Sequence, residues 1–244
     1  MLPPTVIIVP CYNEAKRLPV HAFLNFVTHH DHIFFKFIND GSIDNSRQVI
    51  NNLCRSNPEK LEAIHLPKNL GKGEAVRIGL LHACDNKCDF VGYWDADLST
   101  PLSEIIRFIL IFKENRGIDA VLGSRVLLLG RMIKRKAYRH YIGRVFATIF
   151  SIILNIPIYD SQCGAKLFRI TPDFKQIISL PFLTRWLFDV EIISRYLKFS
   201  KNHPTKIHEE PLLEWTHVSD SKLKLSDLPL IISEVFKLWK EYKY

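Results

Sequence analysis

Residues 90–101 read FVGYWDADLSTP, an apolar run that closes on two carboxylates separated by one alanine. The run 90–97 has the length and the aromatic and β-branched content of a buried strand. Side chains two apart on a strand share a face, so Asp95 and Asp97 are expected to point at the same place. Anions held that close repel each other, and a divalent cation is a group that relieves the repulsion. Working outward, residues 5–10, 32–40, 61–67 and 120–125 form further short apolar runs that read as strands. Helix-like segments separate them at 15–29, 44–55, 72–83 and 102–115. Asp44 is placed to cap the second of these and Pro101 to open the fourth. Strands apolar on both faces, alternating with helices, predict an α/β layered fold with a mainly parallel central sheet.

Beyond residue 125 the strand rhythm stops, and helical patterns at 138–154, 186–199 and 225–244 dominate, with 206–215 as a late strand. No repeat, low-complexity tract or Gly/Ser linker divides the chain, so one domain over 1–244 is expected. A composition of 47% hydrophobic and 24% charged residues excludes a disordered chain. The 33 Lys and Arg against 25 Asp and Glu leave a net charge of +8, which favours anionic partners. Nucleic acid is one such partner, but the basic residues lack interleaved aromatics for stacking, and acidic strand ends repel a phosphate backbone. Cys11, Cys54, Cys84, Cys88 and Cys163 are too scattered for a disulfide framework, and Cys84 and Cys88 lack a second pair for zinc. A reducing compartment follows, and with no signal-peptide pattern in the first ten residues the expected location is cytoplasmic. The longest uncharged run, 145–159, is shorter than the roughly 20 residues that span a bilayer, and is expected as a buried or interfacial helix.

Ligands of open α/β sheets bind beyond the carboxyl ends of the strands, and the polar residues of this chain collect there. Pro10, Cys11, Tyr12, Asn13 and Glu14 follow the first strand, and Asn39, Asp40, Gly41 and Ser42 close the second. Asn69, Gly71, Lys72 and Gly73 follow the third, and Asp95 and Asp97 end the fourth, with Ser99 as a further oxygen for a cation. The segment KNLGKGEA, 68–75, departs from the P-loop pattern because no Ser or Thr follows Lys72, and it lacks G-x-G-x-x-G spacing. It reads either as backbone and lysine offered to an anion at a helix N-terminus or as an ordinary glycine turn.

In order, VIIVPCYNEAKRLP, FINDGSIDNS, NLGKGEAVRIGL, YWDADLSTP and VLGSR resemble the N-terminal signature of family 2 glycosyltransferases with the GT-A fold. YDSQCGAKLFR, RWLFDVEII and EEPLLEW resemble the dolichyl-phosphate β-glucosyltransferase branch and its polyprenyl-phosphate relatives. The likeness implies an inverting, metal-dependent transfer of a hexose, glucose from UDP-glucose, onto a polyprenyl or dolichyl phosphate at the cytoplasmic face of a membrane. Pro10, Tyr12, Glu14 and Asp40 match positions that hold base and ribose, and Asn13, Gly41 and Ser42 fall in the same nucleotide-sugar site. Lys72 matches a position near the donor. Asp95 and Asp97 match the D-x-D pair, with Asp97 as the direct ligand of Mn²⁺ or Mg²⁺. Asn39 departs from the family, where many members have two aspartates at the end of the second strand. On this likeness residues 1–125 form the nucleotide-sugar half and 126–244 the acceptor half.

Ser124 and Arg125 close the fifth strand, and the Lys- and Arg-rich stretch 131–144 precedes the uncharged run. A basic patch beside an apolar helix suits a lipid phosphate and an anionic membrane surface; it is equally the pattern of a solvated loop before a core helix. Arg131, Arg139 and Arg144 are candidate phosphate contacts, and Gln162 and Gly164 fall in a branch motif expected to line the acceptor site. Cys163 is not expected as a nucleophile. A phosphate acceptor is already an anion and needs positioning rather than a strong base, with Asp97 and Arg125 at the reacting centre. A saccharide hydroxyl, the alternative acceptor in surface-polysaccharide synthesis, needs a base, and Asp189 or Glu191 is then the candidate. Both acids can instead serve the helix they sit on. The helix at 225–244 lies on a membrane or packs on the domain, and membrane contact is expected to be peripheral.

Overall fold

The computed structural model describes residues 2–85, 87–134, 137–199, 204–218 and 228–242, without the side chains of residues 137–140, 142, 204 and 228. Its first half follows the alternation expected of the sequence. In order come β1 (Thr5–Cys11), α1 (Val20–His29), β2 (Ile33–Asn39), α2 (Ser46–Ser56), β3 (Leu61–His65), α3 (Lys72–Cys84), β4 (Phe90–Trp94), α4 (Ser103–Glu114) and β5 (Ala120–Ser124). Helix α1 starts five residues later than the pattern because Pro19 disfavours helical backbone at Leu18. At α2, Asp44 lies one residue ahead of the cap position, where its carboxylate accepts the N–H groups of Ser46 and Ala15. Pro101 precedes α4, and its carbonyl accepts the Glu104 N–H at the helix start.

Beyond residue 125 the structure corrects the expected loss of strands. The chain continues with β6 (Met132–Lys134), α5 (Ala137–Leu154), β7 (Ala165–Arg169), α6 (Pro172–Ser179), α7 (Phe188–Phe199), a 3-10 turn (Pro204–Lys206), β8 (Ile207–Pro211), β9 (Glu214–Thr216) and α8 (Leu228–Tyr242). The single strand expected over 206–215 is two strands, and part of the basic stretch is a strand, β6, which pairs with β9. Strands β7 and β8 complete a seven-stranded sheet of order β3-β2-β1-β4-β7-β5-β8, so position 125 does not divide the sheet. Strand β7 runs antiparallel to both neighbours while the other pairings of this sheet are parallel. That reversal matters for the site. It brings the start of β7, with Cys163 and Gly164 just ahead of it, to the carboxyl ends of β4 and β5.

Alternation along the strands feeds a core on each face. Val6 and Ile8 join α3, α6, α7 and α8 in one cluster; Ile7 and Val9 join α1, α2 and α4 in the other. The side chains of the central strands β1, β4 and β5 are buried on both faces, as in parallel sheets covered by helices. Burying each large aliphatic or aromatic side chain contributes about 1.5–3 kcal/mol.

Candidate active site

The carboxyl ends of β1, β2, β4 and β5 and the segment ahead of β7 open onto a cavity of about 780 Å³. Among its lining are Pro10, Tyr12, Asn13, Glu14, Asp40, Lys72, Asp95, Asp97, Ser99, Arg125, Gln162 and Asp189, all singled out from the sequence. The loops that carry them are held by specific contacts. Asn13 stands at φ 51° with its N–H donated to Ser42 Oγ (3.0 Å) and its side-chain oxygen accepting the Ile43 N–H (3.0 Å). Glu14 is clamped by Arg17 through two contacts of 2.7 and 3.0 Å. Asp40 accepts from Asn69 Nδ2 (2.9 Å), Leu70 N–H (2.7 Å) and Gly71 N–H (2.9 Å), which orders the loop leading into α3. Gly41 and Ser42 do not line the cavity. Gly41 is required at φ 60°, where a Cβ would fall 2.3 Å from the Lys68 carbonyl carbon.

The D-x-D pair reaches the cavity by a route other than strand alternation. Strand β4 ends at Trp94, and Asp95–Asp97 lie in the turn that follows. The turn is clamped: Asp95 N–H donates to Gly164 O (3.0 Å), Trp94 Nε1–H to Thr100 O (2.9 Å), and Ser99 N–H to Asp97 Oδ1 (3.0 Å). Leu98 takes a left-handed conformation, φ 51°, to make it. Burial first, and the like charge of Asp95 second, raise the Asp97 carboxyl above the usual carboxylate range. Lys72 Nζ sits 2.6 Å from Asp95 Oδ1, placing a positive charge against the pair. Among the described residues no group of three or more His, Cys, Asp or Glu forms a cation site. Two carboxylates beside an open cavity fit a cation that takes its remaining oxygens from a phosphorylated ligand and water.

Arg125 is fixed by Asp160 through Nε (2.6 Å) and Nη2 (2.8 Å), and the Asp160 carboxylate also accepts the Arg125 N–H (3.0 Å). Burial lowers the Arg125 pKa, the facing Asp160 outweighs it, and the net direction is up. Asp160 is itself held by Glu209 on β8, which accepts the N–H groups of Tyr159 (2.8 Å) and Asp160 (2.6 Å). Arg144 borders a smaller adjoining cavity with Phe146, Phe150 and Tyr159, its guanidinium 3.7 Å from the Tyr159 ring centroid. Arg125 and Gln162 line both cavities.

Other expected acceptor residues are placed differently. Ser124 is fully buried, with Oγ unpartnered among the described residues, and Arg131 stands outside both cavities. The Arg139 side chain lies outside the described residues. Gly164 does not line the cavity, but a Cβ there would fall 1.9 Å from Asp95 Oδ2, so its lack of a side chain makes room for that carboxylate. Burial pushes the Cys163 thiol up to about 12, which removes it as a nucleophile.

The two acids on α7 part company. Glu191 is fully buried and accepts Leu183 N–H (3.0 Å), Thr184 N–H (3.0 Å) and Thr184 Oγ (2.8 Å), with Arg195 at 2.7 Å; it ties the helix to its preceding loop. Asp189 lines the cavity, and its Oδ1 accepts from Lys166 Nζ (2.6 Å) and from Tyr93 OH. Lys166, Asp160, Glu209, Arg185, Trp215 and His217 were not singled out from the sequence. Arg185, Trp215 and His217 line the cavity, and Trp215 and His217 arrive on and just after β9 through its pairing with distant β6. Arg185 and Trp215 stand in RWLFDVEII and EEPLLEW, quoted above for the resemblance without naming them, and His217 lies outside every quoted segment. Lys166 stands in YDSQCGAKLFR, quoted above only for the resemblance, and its charge interrupts the apolar run that marks a buried strand.

Comparison with known proteins agrees with this geometry. The model of the family described as "Glycosyl transferase family 2" matches residues 6–173. A dolichyl-phosphate β-glucosyltransferase of Trichomonas vaginalis is 30% identical over 236 residues, covering 92% of this chain and 67% of that protein. One from Dictyostelium discoideum is 32% identical, over 89% of this chain and 68% of that protein. Among solved structures, glucosyl-3-phosphoglycerate synthase of Mycobacterium tuberculosis in complex with Mn²⁺, UDP and glucosyl-3-phosphoglycerate superposes with a TM-score of 0.68 at 15% identity. The superposition covers 99% of this chain and 80% of that one, and it shows a shared GT-A fold.

Proposed function

Since the chain belongs to glycosyl transferase family 2 and is a glycosyltransferase of GT-A fold, we propose that it moves glucose from UDP-glucose onto a polyprenyl phosphate, with inversion at the sugar. The observation that carries this reading is one cavity lined by Asp95, Asp97, Lys72 and Arg125, with Lys72 paired to Asp95. The relatives named for transfer to dolichyl phosphate and the structural neighbour bound to Mn²⁺ and UDP support it. Residues 1–125 supply the donor side, with Pro10, Tyr12, Asn13, Glu14 and Asp40 around the nucleoside and Gly41 and Ser42 shaping that loop. Asp97, with Asp95 and Ser99, would hold Mn²⁺ or Mg²⁺. When bound, such a cation neutralises charge building on the departing diphosphate.

Residues 126–244, together with Arg125, supply the acceptor side, and Asp189 from the same half also lines the large cavity. Arg125 and Gln162 border both cavities, and the smaller one combines the guanidinium of Arg144 with Phe146, Phe150 and Tyr159. The smaller cavity holds only about 20 Å³, room for a water and not for a phosphate, so the acceptor phosphate is to be met in the large cavity, where Arg125 and Gln162 also stand. A phosphate oxygen attacks the anomeric carbon as the bond to the diphosphate breaks. The nucleophile is already ionised, so no side chain has to take a proton; Arg125, locked by Asp160, orients it.

The exposed faces support a peripheral position at a membrane. Tyr141, Val145 and Ile152 form an exposed stripe on α5, and Ile232, Phe236 and Trp239 form another on α8, which also carries Lys237 and Lys240. Among the described residues no helix is long and apolar enough to cross a membrane. The acceptor is tested by incubating the protein with UDP-glucose, Mn²⁺ and either a short polyprenyl phosphate or an oligosaccharide panel, and identifying products by mass spectrometry. Glucosyl polyprenyl phosphate is the expected product. Oligosaccharide products without lipid glucosylation would overturn the acceptor while keeping the enzyme class.

A further inference from the structure

The buried group that transfer to a phosphate leaves without a task is Asp189. It is 4% exposed, on the first turn of α7, yet it lines the large cavity. Both of its hydrogen bonds fall on one oxygen: Lys166 Nζ at 2.6 Å and Tyr93 OH meet Oδ1, while Oδ2 has no hydrogen-bond partner among the described residues. Lys166 is fully buried, and its ammonium is also fixed to Cys163 O at 2.6 Å. Tyr93 is fully buried as well. The carboxylate is therefore held rigidly by one oxygen, its charge is balanced from behind, and the other oxygen is left without a donor at the cavity.

Helix capping does not explain this arrangement. The N–H groups of Arg185, Trp186 and Leu187, ahead of α7, are taken by Glu234 of α8 at 2.8, 3.0 and 3.1 Å. Balancing Lys166 accounts for Oδ1 alone. A carboxylate oxygen that opens onto a binding cavity accepts hydrogen bonds only, so it selects a ligand that brings an O–H or N–H. It repels phosphate. Asp189 stands near Lys72, which itself bonds Asp95 of the D-x-D pair. If a diphosphate occupies that corner, the next part of a nucleotide sugar is the sugar ring.

We infer that Asp189 is a specificity-determining residue whose free Oδ2 accepts a hydrogen bond from a ring hydroxyl of the donor hexose, while Lys166 and Tyr93 position it. This rests on the donor proposed above. A hydrogen bond to a charged group in a buried site is worth about 10- to 100-fold in affinity.

The experiment compares UDP-glucose with its 2-, 3-, 4- and 6-deoxy analogues as donors for wild-type protein and Asp189→Asn, with Mn²⁺ and polyprenyl phosphate, and measures UDP binding separately. In the wild type, removal of one particular hydroxyl is expected to lower kcat/KM about 10- to 100-fold. In Asp189→Asn the same removal costs little more, and UDP affinity stays at the wild-type value. Should Asp189→Asn fail to fold, the paired variant Lys166→Met with Asp189→Leu removes both charges together and is expected to show the same flattening across the series. A deoxy penalty equal in variant and wild type, or UDP affinity lost along with UDP-glucose, overturns the inference. Absence of wild-type turnover with UDP-glucose overturns the donor reading itself, and the hydroxyl contact falls with it.

Discussion

Replacing Gly164 by alanine adds one methyl group to the ground beneath the D-x-D turn. Its Cβ would lie 1.9 Å from Asp95 Oδ2, 2.2 Å from Cγ and 2.5 Å from Oδ1, where ordinary contact begins near 3.4 Å. The backbone cannot spread to admit it, because Asp95 N–H is bonded to Gly164 O at 3.0 Å. What yields is the carboxylate, which must swing by about 1.5 Å. Since the clash meets the end of a half-exposed side chain, the fold loses only about 1 kcal/mol, the low end for overpacking. A loss of that size lowers Tm by about 2–4 °C in a chain of this length. The functional cost is larger, because a displacement of this order at a reacting centre costs about 10²-fold in rate. Thermal unfolding and glucosyl transfer at saturating donor, with and without added Mn²⁺, measure the two effects separately. Unchanged kcat with unchanged Mn²⁺ response would refute the placement of Asp95 in the reacting centre. A Tm loss of 10 °C or more would refute the reasoning that the side chain yields.

Breaking the buried pair with Lys166→Met leaves Asp189 uncompensated and should cost about 3–5 kcal/mol in urea unfolding, most of it recovered when Asp189→Leu is added; no recovery would show that Lys166 acts through other contacts. Arg125→Lys keeps the charge but loses the planar fork that grips Asp160, so kcat/KM should fall roughly tenfold or more with a far smaller change in stability. An equal loss in both would mark Arg125 as structural. Burial raises the thiols of Cys54, Cys84 and Cys88 to about 11, so at pH 8 only about one part in a thousand is thiolate, and alkylation of the folded protein should be slow. The reactive fraction rises with pH toward 11, and rapid labelling of these three at pH 8 would contradict the burial described.

The sequence exposes the rim of the site because the polar residues after each parallel strand are adjacent in the chain. Pro10 to Glu14, Asp40, Lys72 and the D-x-D pair could all be located that way, and they converge on one cavity. The second half was harder for physical reasons. Strand β7 carries Lys166 at its centre, and a lysine in an apolar run looks like surface until Asp189, distant in sequence, is seen to neutralise it. Trp215 and His217 reach the cavity through a short two-strand pairing with no alternating pattern of its own. The D-x-D pair was found for a reason that does not hold, since β4 ends before Asp95 and the clamped turn, not the pleat, brings the two acids to the cavity.

The central claim is tested most directly by glucose transfer from UDP-glucose to a short polyprenyl phosphate in Mn²⁺, with wild type and Asp97→Asn measured side by side. The account predicts formation of β-linked glucosyl polyprenyl phosphate by the wild type, its loss on chelation, and its near-abolition in the variant. Transfer that survives both chelation and Asp97→Asn would contradict it.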